Sequence, residues 1–257
     1  MTFSTYYQSF LTTHFTVRIF DIQSQVSSVL FGLDEDDSSY TTYHSQVDQN
    51  CYLVTLGRTG EVGLVDTRVS FKSTVESYKI YEKASPKMVS VHPLQNQYFL
   101  SPSSKGDCGI YDTRMAKKKM LTPVSSLMGH TKAISSALFS PQSGNKVVTV
   151  SYDNKIRLFD TSNLEEKTKK PIRSINHNNQ TGRWLTTFKA EWHPTYEDVF
   201  FVGSMSQPRQ IDVYNVKGDH FAMKGEDLGS VCSIVKVHPT QDIIVGGNSS
   251  GRVHVFM

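Results

Sequence analysis

Several groups of residues in this chain have the types and spacing that chemistry requires. GNSSG at 247–251 matches the G-x-S-x-G pattern that presents a serine, here Ser249, as a nucleophile. Nine histidines offer imidazoles for metal binding or proton transfer. Asp66-Thr67-Arg68 and Asp112-Thr113-Arg114 each set a guanidinium fork two residues after a carboxylate. In HNNQTGRWLTTFKAEWHP (177–194), Arg183 stands beside Trp184, one of only two tryptophans. Such a pair suits contact with a phosphate or groove edge and stacking on a base.

The elements that carry these residues decide among the chemistries. A nucleophile elbow needs a strand-turn-helix context with histidine and acid partners. GNSSG lies between the apolar runs DIIVGG and RVHVF, so it is predicted as a turn between strands. The histidines share no ligand spacing, and His92, His193 and His238 recur in the same His-Pro dipeptide. No glycine-rich phosphate loop or paired-carboxylate site is present. The sequence therefore predicts a non-enzymatic protein with no metal and no cofactor.

Internal repetition organises the chain. VRIFD (17–21), VGLVD (62–66), CGIYD (108–112), IRLFD (156–160), IDVYN (211–215) and VHVFM (253–257) share one pattern. Their last residues are 45, 46, 48, 55 and 42 apart, close to the period of about 40–45 of a four-stranded propeller blade. VSVHP, ALFSP, AEWHP and VKVHP precede four of them. Each is a strand ended by proline, which cannot continue a hydrogen-bond ladder. With no sustained helical period, the prediction is an all-β β-propeller spanning residues 1–257.

Charge and cysteine usage narrow the setting. Net charge is +3, yet residues 100–190 hold 15 Lys and Arg against 6 Asp and Glu. A sector of that kind attracts polyanions, and the expectation is that its cations gather on one rim. Asp34-Glu35-Asp36-Asp37 is predicted as a solvated acidic loop. Cys51, Cys108 and Cys232 are scattered, which argues for reduced thiols. A signal-peptide pattern and an apolar run of about 18 residues are both missing, so a soluble intracellular protein is expected.

MGHTKAISSALFSPQSGNKVVTVSYDNKIRLFD (128–160) resembles a WD repeat. That resemblance implies a blade fixed by His130, Ser151, Asp153 and Phe159, with phenylalanine where the family has tryptophan. It also implies a seven-bladed ring. This chain supplies about five blades plus part of another, with residues 1–22 giving only the end of a blade. The expectation is a C-terminal part of a longer propeller, incomplete at its N-terminus.

Residues 177–257 narrow the resemblance to WD-repeat relatives of the small subunit of the damaged-DNA-binding complex. This likeness implies a nuclear, chromatin-associated DNA binder, tied to DNA damage or modified cytosine, that serves as a substrate receptor for cullin-four ubiquitin ligases. In that subunit a hairpin before the AWHP strand wedges into DNA. Aligning the shared K-A-x-W-H-P on Lys189–Pro194 puts the wedge at Gly182-Arg183-Trp184, without the family's phenylalanine. The predicted DNA-facing residues are Lys132, Arg183, Trp184, Lys189 and Arg209, drawn from a wider set with Lys117, Lys118, Lys119, Lys155, Arg157, Lys167, Lys169 and Lys170. Receptors of the cullin-four system carry Trp-Asp-x-Arg, so Asp66, Arg68, Asp112 and Arg114 are predicted to meet the ligase adaptor, with Val65 and Tyr111 replacing the tryptophan. A protein-interacting scaffold without DNA contact is the alternative reading.

Overall fold

A computed structural model describes residues 8–12, 16–21, 24–32, 43–57, 59–69 and 76–257; the acidic run Asp34–Asp37 lies outside them. Five successive sheets follow a short N-terminal one. The N-terminal sheet holds β1 (Gln8–Thr12), β2 (Thr16–Asp21) and β3 (Val26–Gly32). Blade 1 holds β4 (His44–Gln46), β5 (Cys51–Leu56), β6 (Glu61–Asp66) and β7 (Glu76–Lys79). Blade 2 holds β8 (Ser90–Val91), β9 (Tyr98–Pro102), β10 (Cys108–Asp112) and β11 (Ser125–Leu127). Blade 3 is made of β12 (Ile134–Phe139), β13 (Lys146–Ser151), β14 (Lys155–Asp160) and β16 (Arg173–Asn176). Between the last two, β15 (Thr168–Lys169) adds a parallel edge to β11. Blade 4 holds β17 (Glu191–Trp192), β18 (Val199–Gly203), β19 (Gln210–Asn215) and β20 (His220–Lys224). Blade 5 has three strands, β21 (Cys232–Val237), β22 (Ile244–Asn248) and β23 (Val253–Phe256).

The two-residue period of a strand builds the core between blades, because neighbouring side chains face opposite sides. In β9, Phe99 packs toward blade 1 while Leu100 packs toward blade 3. In β13, Val147 faces blade 2 and Val148 faces blade 4. In β18, Phe200 joins the blade 3 interface and Phe201 the blade 5 interface. Each fully buried aromatic or aliphatic side chain contributes roughly 1.5–3 kcal/mol. This is why the predicted strands carry unbroken apolar runs such as KVVTVS.

The proline markers end inner strands as expected, and the histidine before them has a definite task. The Nδ1 of His92 accepts from the backbone N–H of Leu94 and Gln95, both at 3.2 Å. His193 does the same with Thr195 and Tyr196 at 3.1 and 3.0 Å. His238 repeats it with Thr240 and Gln241. Proline bars the ladder, and the imidazole satisfies two of the donors the turn leaves over. At the N-terminus, where residues 1–22 were expected to give only the end of a blade, two strands form within that stretch and pair with a third at Val26–Gly32.

Candidate nucleic-acid and adaptor faces

Strand parity assigns every connection to one of two ends of the blades. In an antiparallel meander, turns between the second and third strands share an end with the loops entering the next blade. Connections after the first and third strands lie at the opposite end. We call these the upper and lower ends. Contacts agree with the assignment: a Cβ built on Gly106, in the blade 2 turn, would lie 2.9 Å from the carbonyl of Lys132, in the loop entering blade 3.

Blade 3 is bolted at its upper end by the predicted residues, with one correction. His130 Nδ1 lies 3.0 Å from Asp153 Oδ2, and Arg157 donates to the same oxygen at 2.8 Å. The hydroxyl on the other ring nitrogen is Thr149 Oγ1 at 2.7 Å, not Ser151. Ser151 instead donates to the Lys132 carbonyl and accepts from the Asp153 N–H. Both hydroxyls face the same side of β13, two residues apart, and the depth of the imidazole selects Thr149. Burial pushes His130 down to about 4, against the pull of Asp153. Phe159 fills the core between blades 2 and 3 without any polar partner.

Blade 4 has Pro208 where a turn aspartate would sit, and it uses a different network that sequence reasoning missed. Asp212, within β19, is buried and receives His177 Nε2 at 3.2 Å and His220 Nε2 at 2.9 Å. Gln210 Nε2 donates to it at 2.6 Å. Burial opposes its ionisation, but bonds from His177, His220, Ser204 and Gln210 outweigh that and hold the carboxyl well below its ordinary range. His177 Nδ1 also meets Asn179 Oδ1 at 2.6 Å. The Asn179 amide donates to the Ser151 and Lys155 carbonyls, which fixes its orientation. A strand Asp and a histidine 35 residues before it have no local signature, so no pattern search would have joined them.

This network roots the loop that carries Trp184. Residues 177–190 form an irregular loop and not the hairpin the alignment suggested. Side-chain bolts at His177 and Asn179 replace a ladder at one end. At the other end Phe188 is buried, its carbonyl accepts from Ser135 Oγ at 2.7 Å, and the Ala190 N–H donates to Ser136. Between these anchors Gly182 sits at φ +66° in open space, a conformation glycine adopts without strain. Trp184 beyond it is 87% exposed, whereas Trp192 is 6% exposed and donates Nε1–H to the Leu138 carbonyl.

The predicted DNA-facing residues divide by surroundings. Arg183 and Lys132 are exposed at the upper end and make no ion pair among the described residues. Arg209 is also at that end, but its Nη1 spans its own turn to the Met205 carbonyl at 2.9 Å. Lys189 is half-buried on the channel wall, its Nζ 4.6 Å from the centre of the Tyr43 ring. Burial and neighbouring Lys236 pull its amine below the ordinary value. Arg157 and Lys155 are held by Asp153 and Asn176 respectively. The single basic rim is corrected by the topology. Lys117, Lys118 and Lys119 lie in the connection after β10, and Lys167, Lys169 and Lys170 in the connection after β14, both at the lower end. Lys169 is buried there, donating to the Asn163 carbonyl at 2.6 Å.

The two Asp-Thr-Arg elements have the same geometry at the lower end. Arg68 Nε donates to Asp66 Oδ1 at 2.9 Å and its Nη2 to Oδ2 at 2.6 Å. Arg114 grips Asp112 at 3.0 and 2.7 Å in the same two-pronged way. Both guanidinium groups remain exposed, at 68% and 63% of their side chains. Their hydrogen bonds push Asp66 down to about 2 and also lower Asp112. Arg114 further lies over the Tyr98 ring, 5.9 Å from its centre, and exposed Met115 follows it directly in sequence.

Sheet order, inter-blade cores and the His130–Asp153 bolt together define a WD-repeat β-propeller. A model of the WD domain, G-beta repeat matches residues 121–160. A chain in a crystal structure of the mitotic checkpoint complex superposes with TM-score 0.72 at 19% identity, over 96% of this chain and 71% of that one, which speaks for the fold alone. The chain is similar to WD repeat-containing protein 76 of Xenopus laevis, 41% identical over 94% of this chain and 41% of that protein. It is more distantly similar to DNA damage-binding protein CMR1 of Phaeosphaeria nodorum, 30% identical over 94% of this chain and 49% of that protein. The chain thus spans less than half the length of these curated relatives.

Proposed function

We propose that this chain is the propeller of a nuclear, chromatin-associated DNA-binding protein that also recruits a cullin-four ubiquitin ligase through its opposite end. Its setting would be the response to DNA damage or the reading of modified cytosine. The observation that carries the DNA arm is Trp184, almost wholly exposed beside Arg183, itself exposed, on a loop whose two ends are bolted to the blades. An indole held out in water at that angle offers a stacking platform, and the adjacent guanidinium offers a phosphate contact. Similarity to proteins named for binding DNA damage supports the same reading. The ligase arm rests on the repeated Asp-Thr-Arg fork, preorganised yet exposed, with exposed Met115 beside Arg114 suiting a protein partner.

Chromatin fractionation of the full-length protein tests the DNA arm. Arg183→Glu with Trp184→Ala should release it from chromatin while leaving adaptor recovery unchanged. Unaltered chromatin association would leave the scaffold reading in its place.

A further inference from the structure

The loops entering blades 2, 3 and 4 enclose a recess of about 290 Å³ at the upper mouth of the central channel. Lys87 and Lys189 stand on its wall with Ser135, Tyr152 and Thr187, and no carboxylate among the described residues lines it. Ser135 already donates to the Val150 and Phe188 carbonyls. The Tyr152 and Thr187 hydroxyls have no hydrogen-bond partner among the described residues, so both can donate to a guest. Glu191 lies outside this lining, where Lys236 donates to it at 2.7 Å and it also attracts Lys189. The recess is therefore a cationic cavity with free hydroxyl donors, opening beside the loop that carries Trp184.

We infer that this recess binds the terminal phosphate of a DNA strand. The inference rests on the DNA-binding reading and names the part of the DNA that the channel mouth takes. A terminal phosphomonoester carries about −1.5 to −2 charges at pH 7, matching two ammonium groups better than the single charge of a phosphodiester does. Lys189 sits on the channel wall and Lys87 is half-buried, so only a group that descends into the recess reaches both. An internal phosphate is flanked by sugars on both sides and stays outside, whereas a strand end can enter. Trp184 would then stand where it can stack on a base near the end. An arriving anion also favours the charged form of Lys189, which burial and Lys236 disfavour in the empty pocket.

The test compares one duplex sequence in three forms, blunt with 5′-phosphates, blunt with 5′-hydroxyls, and closed into a dumbbell without ends. Binding of the full chain is measured at one fixed salt concentration. The phosphorylated duplex should bind at least about fivefold tighter than the other two. Inorganic phosphate should erase the preference, and Lys87→Gln should remove it without lowering the melting temperature. Should that variant fail to fold, the preference of the unaltered chain and its loss with inorganic phosphate still decide the matter. Equal affinity for all three forms would overturn the terminal-phosphate pocket and leave the DNA-binding reading standing. Failure of all three to bind would overturn both.

Discussion

At the upper end of the blades, Arg183 and Lys132 make no ion pair among the described residues. At the lower end, Arg68 and Arg114 are each gripped by their own aspartate in two parallel hydrogen bonds. The upper cations, exposed to solvent, suit a charged polymer read without regard to sequence. The lower ones are oriented forks, suited to one protein surface of fixed shape. The apolar side chains divide likewise: an indole on an irregular loop above, and exposed Met115 ending a three-residue helical turn below. One scaffold thus presents two kinds of surface because its connections alternate between ends.

The comparison can be broken most severely at the root of the Trp184 loop. Asp212→Ala strips His177, His220 and Gln210 of their shared acceptor, and each buried donor left unsatisfied costs about 1–3 kcal/mol. Chemical denaturation should show that loss. At conditions where the variant still folds, DNA affinity should fall and adaptor binding should persist. Loss of both together would mean the two ends are not independent.

Acid should loosen the upper end next. His130 has a folded-state value of about 4, below its ordinary 6.5, so the folded form binds fewer protons between those values. Its stabilising contribution is complete above pH 6.5 and falls away as pH drops toward 4, by on the order of 3 kcal/mol. His130→Gln should flatten the stability profile in that window.

Trp184→Ala separates function from folding. It should weaken duplex binding by about 1–3 kcal/mol and leave thermal stability unchanged, since the ring buries almost nothing. The smallest effect is expected among the forks. Arg114→Ala should reduce adaptor recovery several-fold and Arg68→Ala less, because only Arg114 is also braced by Tyr98. Undiminished recovery with both arginines replaced would remove the ligase arm.

The propeller was legible because its signals are local. A recurrent strand pattern, a proline stop and a His-Pro turn each lie within a few residues, and their spacing repeats. The sites were harder for a physical reason. Runs such as KKK at 117–119 show charge density but not which end of a sheet they occupy; counting strands would have placed them below. Thr149 and Ser151 share a face of β13, so only the depth of the His130 ring chose between them. Asp212 and His177 are joined by the stacking of blades, which no stretch of sequence displays. Trp184 was legible in position, while its exposure had to come from the shape of the loop.

Salt-dependent duplex binding by the full-length protein, with and without Arg183→Glu and Trp184→Ala, tests the central claim most directly. Affinity should fall linearly on logarithmic axes as salt rises, and the double variant should bind far more weakly with a shallower slope. A chain that fails to bind duplex even at low salt, or a double variant that binds as well as the original, would contradict it.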